Sequence, residues 1–169
     1  MPLVFVLILA CGGKDGPSAP AAVSCDSEDL GSFTGNSTGM SAGALSGCAA
    51  FAVGEFDNGT WFSVAFTNGA METGRPLIGI NRPGGRPGPG TYSAGAGDGQ
   101  FGGSILVDSG SRFFIVSSGT LTITASSASS ISGSVNLTAA ETGTSNTMTI
   151  SGNFTAVCLP PNLGEPHTC

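Results

Sequence analysis

The amino-acid sequence predicts an all-β protein, an antiparallel meander of about 8–10 strands that closes into a barrel or a two-sheet sandwich. Three observations lead to this prediction. Apolar and polar residues alternate after residue 30, turn-forming Gly, Asn, Asp and Ser recur about every ten residues, and no stretch there combines a helical period with helix-forming residues.

The predicted strands follow one another with short connections. Asn58-Gly59 is the strongest hairpin signal, and Asp108 to Ser111, Ser118-Gly119 and Thr142-Gly143 are further predicted turns. Because short connections demand antiparallel neighbours, the last five strands are predicted to form a meander. The predicted strands are 33–38, 44–53, 61–67, 76–80, 91–94, 104–107, 112–117, 119–125, 130–140 and 147–157.

Three strands contain the same short pattern, Leu45-Ser46-Gly47, Ile131-Ser132-Gly133 and Ile150-Ser151-Gly152. Counting by twos gives one apolar face, while Ser, Thr and Asn occupy the other, which is typical of an antiparallel sheet with one dry face. The recurring Gly is predicted to allow bending or a bulge. The predicted dry-face residues are Leu45, Gly47, Ala49, Phe51, Val53, Ile131, Gly133, Val135, Leu137, Ala139, Ile150, Gly152, Phe154, Ala156 and Cys158.

Length and composition suit one exported domain with a real core. The chain has 169 residues, of which 40% are hydrophobic and 10 are Phe. Charged residues make up only 9%, against roughly 25% in an ordinary globular protein. The net charge of −6 argues against a nucleic-acid partner and against electrostatic docking to an anionic membrane.

The N-terminus reads as an export signal. Residues Pro2 to Ala10 form an apolar run that is too short to span a bilayer but matches the apolar region of a signal peptide. The junction Ile8-Leu9-Ala10-Cys11 resembles the lipobox of bacterial lipoproteins. That resemblance implies removal of residues 1–10 and lipid attachment at Cys11. A plain secretory signal or an uncleaved buried strand are the alternatives.

The segments after the signal differ in composition. Residues 11–29 are predicted to be a lipid-anchored flexible tether, because they are small, Pro/Gly-rich and without periodicity. Residues 30–158 form the predicted β-domain, and 159–169 the C-terminal tail. No acidic residue directly follows Cys11, which in lipoproteins goes with sorting to the outer membrane. The predicted location is therefore the bacterial cell envelope, with the membrane as a partner through Cys11.

The other cysteines are even in number, which favours two disulfides in an exported chain. They are too scattered for a zinc site. Three pairings are possible. Sequential pairing closes loops of modest length, and Cys158 on the dry face would not easily meet Cys48 on the opposite face of its strand. The four residues are Cys25, Cys48, Cys158 and Cys169.

The second half of the chain is similar to an uncharacterised family of bacterial envelope lipoproteins. Its members carry a G-T-Y element, here Gly90-Thr91-Tyr92, followed by a Ser/Thr-rich meander. The matching strands here are Ser118 to Thr124, Ile131 to Ala139 and Ile150 to Ala156. The resemblance covers roughly residues 88–157 and implies location and fold, but no activity.

Two groups of side chains are candidate ligand contacts. Arg75, Arg82 and Arg86 lie in a Pro/Gly-rich segment and are three of the chain's five basic residues. Together they could bind a carboxylate, sulfate or phosphate, unless the segment is only a stiff connection. Trp61, Tyr92 and Phe101 could form a platform for a sugar, although Trp61 is out of phase with its apolar neighbours and could instead cover a sheet edge.

No catalytic constellation is visible, so the chain is not expected to be an enzyme or to hold a metal or cofactor. His167 is the only histidine, and a Ser-His-Asp mechanism needs a histidine held between a nucleophile and an acid. A glycan hydrolase needs two converging carboxylates. The candidate acids, all in or beside predicted turns, are Glu55, Asp57, Glu72, Asp98, Asp108 and Glu141.

Three hypotheses for function therefore remain. The first is a non-catalytic envelope lipoprotein that binds an unidentified ligand or partner, with a concave or aromatic patch near Trp61 or the arginines. The second is a structural surface protein with a filled interior and no pocket. The third, a glycan hydrolase, requires carboxylates in a cleft.

Overall fold

The computed structural model describes residues 25, 30–56, 59–70, 74–108, 112–159 and 167–169. In this part of the chain the regular secondary structure is β-strand, which confirms the all-β prediction. Among these residues no helix has the length and hydrophobicity that a membrane span requires. The strands are β1 (Gly31–Gly39), β2 (Gly43–Phe56), β3 (Gly59–Thr67), β4 (Leu77–Pro83), β5 (Gly90–Gly95), β6 (Gly102–Val107), β7 (Arg112–Ser126), β8 (Ser130–Glu141), β9 (Thr147–Cys158) and β10 (His167–Thr168).

Eight strands close into an antiparallel barrel in the order β1-β9-β8-β7-β6-β4-β3-β2, which selects the barrel over the sandwich. Closure occurs at β1, which pairs with β9 on one side and β2 on the other. At the start of β1, just before Gly31, β9 also contacts β2 directly through a short parallel pairing. The barrel has no free edge at this seam, so its backbone donors and acceptors are paired.

The remaining two strands lie outside the eight-strand circuit. Strand β5 pairs with the second half of β7, whereas β6 pairs with the first half. Strand β10 pairs with β2 at Gly54 and Val53. The C-terminal segment therefore returns to the barrel after Leu159, whose N–H donates to the carbonyl of Phe51 at 2.9 Å.

One predicted turn is wrong. Ser118-Gly119 does not separate two strands, because residues 112–126 form the single strand β7. The local signal is nevertheless real. Gly119 has φ of 139°, and a register shift between Val116 and Ser118 marks a bulge beside it. These features bend β7 and do not reverse the chain, so one strand can pair with β6 and then with β5.

The other turn signals fall between strands. Strands β2 and β3 form a hairpin that is paired as far as Phe56 and Gly59, at the predicted place. Gly143, with φ of 79°, lies in the turn between β8 and β9. Asp108 has φ of 53° directly after β6. The intervening residues 57–58 and 109–111 lie outside the described part of the chain.

The barrel interior is filled by alternate side chains of the strands, as eight-strand barrels require. The predicted dry faces of β2, β8 and β9 point inward, with Phe51, Leu137 and Phe154 buried. The aromatic rings contact one another; Phe62, for example, lies 6.1 Å from Phe51 and 6.0 Å from Phe101 between ring centroids. The largest fully buried side chains are Phe33, Phe51, Phe62, Phe66, Phe101, Phe114, Ile78, Ile80, Ile105, Leu121, Ile123 and Ile131.

The glycine of the Leu/Ile-Ser-Gly pattern has a steric role. A Cβ added at Gly133 would lie 1.9 Å from the carbonyl oxygen of Thr122 on β7. The bulge predicted for this glycine lies instead on its partner strand, between Ile123 and Ala125. A side chain at position 133 would therefore push β8 away from β7 at the point where β7 bends.

The cysteines pair in sequence order. Cys25 and Cys48 are within disulfide distance, with 5.5 Å between their Cα atoms, and Cys158 and Cys169 likewise at 6.1 Å. Cys48 is buried although it points outward from β2. Cys25 is the one residue of the predicted signal peptide and tether that the structure describes. The proposed lipidation site, Cys11, lies outside the described residues.

Replacing Phe62 with alanine is expected to lower the free energy of unfolding by about 3–5 kcal/mol, because the inner face around it cannot collapse to fill the space. Urea unfolding of the disulfide-intact protein measures this change. Ser63→Ala, on the exposed face of the same strand, should change stability by no more than about 0.5 kcal/mol. Equal effects of the two substitutions would contradict the assigned inner face.

Candidate binding site

The outward side chains on one side of the barrel form an uncharged polar surface, which we call the hydroxyl face. It covers β1, β9, β8, the second half of β7 and β5. Each side chain is exposed or half-buried, and no member is charged. The members are Thr34, Asn36, Thr38, Thr91, Ser93, Thr120, Thr122, Ser132, Ser134, Asn136, Thr138, Thr149, Ser151, Asn153 and Thr155.

Strand register places these residues in rows across the sheet. One row contains Thr34, Asn153, Ser134, Thr122 and Thr91, each paired with the next. Since paired residues on adjacent strands point to the same face, polar side chains repeat every ~4.8 Å along a row.

A second row of the same kind lies two residues away from the first on each strand. It contains Asn36, Ser151, Asn136, Thr120 and Ser93. The outward polar side chains of the five strands are therefore aligned, and they form a continuous two-dimensional array.

Several hydroxyls of this face bond to one another across strands. Ser132 and Thr155 lie 3.0 Å apart between side-chain oxygens, and Thr91 and Thr122 lie 3.2 Å apart. Such pairs satisfy part of the hydrogen-bonding capacity of the surface and hold the strands in register. They lie at the margins of the array.

A cleft of about 600 Å³ opens on the hydroxyl face. Gly35 and Gly152 pair with each other within it and contribute no side chain, so the wall there is backbone. The five polar side chains that line it make no hydrogen bond to another protein group in the described part of the chain. These five are Thr34, Asn36, Ser134, Ser151 and Asn153.

The chemistry of the cleft is that of neutral hydrogen bonding. Hydroxyl groups donate and accept, and each Asn amide offers two donors and an acceptor. None of the lining residues carries a charge, a thiol or an imidazole. The cleft can therefore match a ligand that is itself both donor and acceptor, and it offers no counter-charge to an anion or a cation.

The predicted arginine cluster does not form. Arg75 precedes β4 and Arg82 lies near its end, so the strand separates them. Arg75 donates to the carbonyl of Gly74 at 2.7 Å, and Arg86 donates to the backbone carbonyl of Cys169. The three side chains therefore do not surround a common space.

Arg82 covers the barrel end instead. It is paired with Phe62, so it points to the inner face. Its guanidinium carbon lies 5.3 Å from the ring centroids of both Tyr92 and Phe101. The Tyr92 hydroxyl donates to the carbonyl of Gly88 at 2.8 Å, which fastens the connecting loop across the same end. These contacts close the apolar interior.

The predicted aromatic platform forms only in part. Tyr92 and Phe101 are in edge contact, with 5.7 Å between ring centroids. Trp61 is paired with Pro83 on the outward side of β3, as its phase along the strand predicts. It therefore does not join the other two rings, and Phe101 is fully buried.

Glu141 serves a structural role. Its carboxylate accepts hydrogen bonds from Arg112 at 2.8 and 3.1 Å and from Asn146 at 2.6 Å. The bonds from Arg112, Asn146 and Thr144 hold the pKa of Glu141 down at about 2. The result is a fixed ion pair beside the turn between β8 and β9.

Two other candidate carboxylates in the described residues lie at strand ends: Asp108 follows β6 close to Arg112, and Glu55 lies near the end of β2. No three His, Cys, Asp or Glu side chains among them could hold a metal ion. Asp57 and Glu72 lie outside the described residues. For His167 the structure describes the backbone, which pairs with Gly54.

Comparison of the chain with protein-family models, curated proteins and solved structures gave no match. The resemblance to envelope lipoproteins therefore stays a prediction. Sequence reasoning also missed the cleft. The alternating Ser, Thr and Asn residues of β8 and β9 were the available signal, but their spacing does not reveal that β1 contributes Thr34 and Asn36 beside them.

Replacing Glu141 with glutamine is expected to lower the melting temperature by a few degrees at neutral pH, because the ion pair with Arg112 is lost. The folded-state pKa of about 2 lies below the ordinary value of 4.5, so this contribution is present above pH 4.5 and disappears as the pH falls toward 2. The difference in melting temperature between wild type and variant should therefore shrink over that range. A pH-independent difference would contradict the assignment.

Proposed function

We propose that this protein is an exported lipoprotein of the bacterial cell envelope, anchored through Cys11, and that its barrel binds a neutral glycan in the cleft of the hydroxyl face. One observation carries the binding proposal. Five polar side chains converge on the cleft and have no protein partner among the described residues.

The export part of the proposal rests on the lipobox-like junction at Cys11 and on the cysteine pairs. Disulfides form and persist outside the reducing cytoplasm. Cys25–Cys48 and Cys158–Cys169 are both within disulfide distance. An anchored, disulfide-bonded domain fits the cell envelope.

A neutral glycan is the ligand class that suits the cleft best. Its hydroxyl groups donate and accept, as those of the cleft do, so every group that loses water on binding can regain a partner. The absence of charge among the lining residues disfavours phosphate, sulfate and carboxylate groups. The Arg75, Arg82 and Arg86 alternative is weaker, because these side chains are separated.

We propose binding and not catalysis, because no carboxylate, histidine or cysteine lines the cleft. A purely structural surface role is the second candidate. The filled barrel interior favours it, since no ligand can enter between Phe51, Phe62 and Phe101. The two roles differ in one measurable property, which is glycan binding by the cleft.

Metabolic labelling with radioactive palmitate is expected to label the wild type and to leave Cys11→Ala unlabelled. Globomycin, which inhibits lipoprotein signal peptidase, should make the wild-type precursor accumulate. Cys169→Ala is the matched control and should be labelled like the wild type. Palmitate incorporation into Cys11→Ala would contradict the anchor.

Asn153→Ala is expected to weaken binding of a soluble neutral polysaccharide about fivefold, because one net hydrogen bond contributes roughly 1 kcal/mol. The double variant Asn36→Ala with Asn153→Ala should bind the polysaccharide about twentyfold more weakly, or weaker still, if the two hydrogen bonds are independent. Isothermal calorimetry with a dextran and a mannan, compared with an anionic alginate, measures the effect.

Asn136→Ala is the control for these variants, since Asn136 lies on the hydroxyl face next to Ser151 but does not line the cleft. It should bind like the wild type. Absence of binding to every neutral polysaccharide, with a stable fold, would favour the structural role. Equal losses of affinity for Asn136→Ala and Asn153→Ala would show that the cleft is not the binding site.

A further inference from the structure

Strand β2 has three successive partners along one of its edges. The first part of the strand pairs with β1, the next part with β9, and Val53 and Gly54 pair with β10. Its other edge is paired with β3 up to Phe56. The C-terminal strand β10 therefore covers the β2 edge at the point where β1 and β9 no longer reach it.

Strand β10 is too short for its own pairing to hold it firmly on β2. It consists of His167 and Thr168, against an ordinary strand length of about five to six residues. The next residue, Cys169, accepts a hydrogen bond from Arg86 at its backbone carbonyl. Its covalent link to Cys158, at the end of β9, is therefore a main constraint that keeps β10 on β2.

The two cysteine pairs differ in their access to solvent. Cys25 and Cys48 are 7% and 1% exposed, whereas Cys158 is half-buried and Cys169 is exposed. Because disulfide exchange requires a thiolate to approach one of the two sulfur atoms, an accessible pair exchanges faster than a buried pair. A reductant in solution can therefore reach the C-terminal pair while the N-terminal pair stays shielded.

We propose that Cys158–Cys169 is a site of thiol–disulfide exchange, and that its reduction by a dithiol releases β10 from the β2 edge. A thiolate of the dithiol attacks the sulfur of Cys169, because this residue is exposed, and Cys158 leaves as a thiolate that takes a proton from water. The second thiol of the dithiol then attacks the mixed disulfide, and the Cys169 thiolate leaves. Two electrons pass to the protein, and the dithiol becomes a disulfide.

The structural change is confined to the C-terminal end of β2. Barrel closure at β1 is made by β9 and the first part of β2, without β10. The buried pair of Cys25 and Cys48 lies in that first part and stays oxidised. The inference rests on the proposed export, because disulfides persist outside the reducing cytoplasm, and it is independent of glycan binding.

Alkylation after mild reduction tests the exchange site on the full, folded protein isolated from cells. The protein is treated with dithiothreitol without denaturant, and new thiols are trapped with N-ethylmaleimide and located by peptide mass spectrometry. Cys158 and Cys169 should be labelled at least about tenfold faster than Cys25 and Cys48. In urea the difference should vanish, because unfolding exposes both pairs.

Hydrogen exchange tests the release of β10. On reduction, the amides of residues 52–55 should exchange several-fold faster, because β10 no longer protects this edge. Those of residues 133–137, inside β8, should exchange at an unchanged rate. The double variant Cys158→Ser with Cys169→Ser cannot form the link and should show the same faster exchange at residues 52–55 without reductant.

The outcomes separate this inference from export. Free thiols at all four positions in the untreated protein would contradict export and overturn the inference with it. Two intact disulfides that are reduced at the same rate, or that both resist reduction, would overturn the inference and leave export standing. Selective reduction with unchanged exchange at residues 52–55 would show that β10 stays in place and would overturn its release.

Discussion

Closure of the sheet at β1 is the constraint on which the rest of this structure depends. Because β1 bonds to β9 on one side and β2 on the other, each strand has one face inside a small closed volume and one face outside it. The inner faces must then be apolar and tightly fitted, which the buried Phe and Ile side chains satisfy. Gly133 and the bends in β7 adapt the strands to this curvature.

The same closure turns the outer faces into a cylinder with two unlike sides. Ser, Thr and Asn occupy the outer positions from β5 through β1, whereas those from β2 to the start of β7 are mixed, with Ser63, Thr67 and Asn81 among Ala, Leu, Phe and Ile. Strand β7 crosses from one side to the other, with Phe113 and Ile115 before its bend and Thr120 and Thr122 after it. A single long strand therefore carries the boundary between the two kinds of outer surface.

At one end of the barrel, charged and aromatic side chains contact one another and cover the interior. Arg82 stacks on Tyr92 and Phe101, and the loop that contains Arg86 and Pro87 is fastened by bonds to Cys169 and Ser126. These residues are conspicuous in the sequence because the chain has few charges, but their partners are within the protein. The five polar side chains of the cleft, which look ordinary in the sequence, have none among the described residues.

Local pattern was enough to determine the strands, their dry faces and most turns, because alternation with period two and turn-forming residues are encoded within about ten residues. It failed at Ser118-Gly119, where the positive φ of the glycine bends a continuous strand and does not reverse the chain. It also could not decide between barrel and sandwich, or place Arg75 apart from Arg82. Those outcomes depend on which strands become neighbours. Only register brings Thr34 beside Asn153, and Leu77 beside Leu106, because long-range pairing is a property of the closed sheet and not of any one segment.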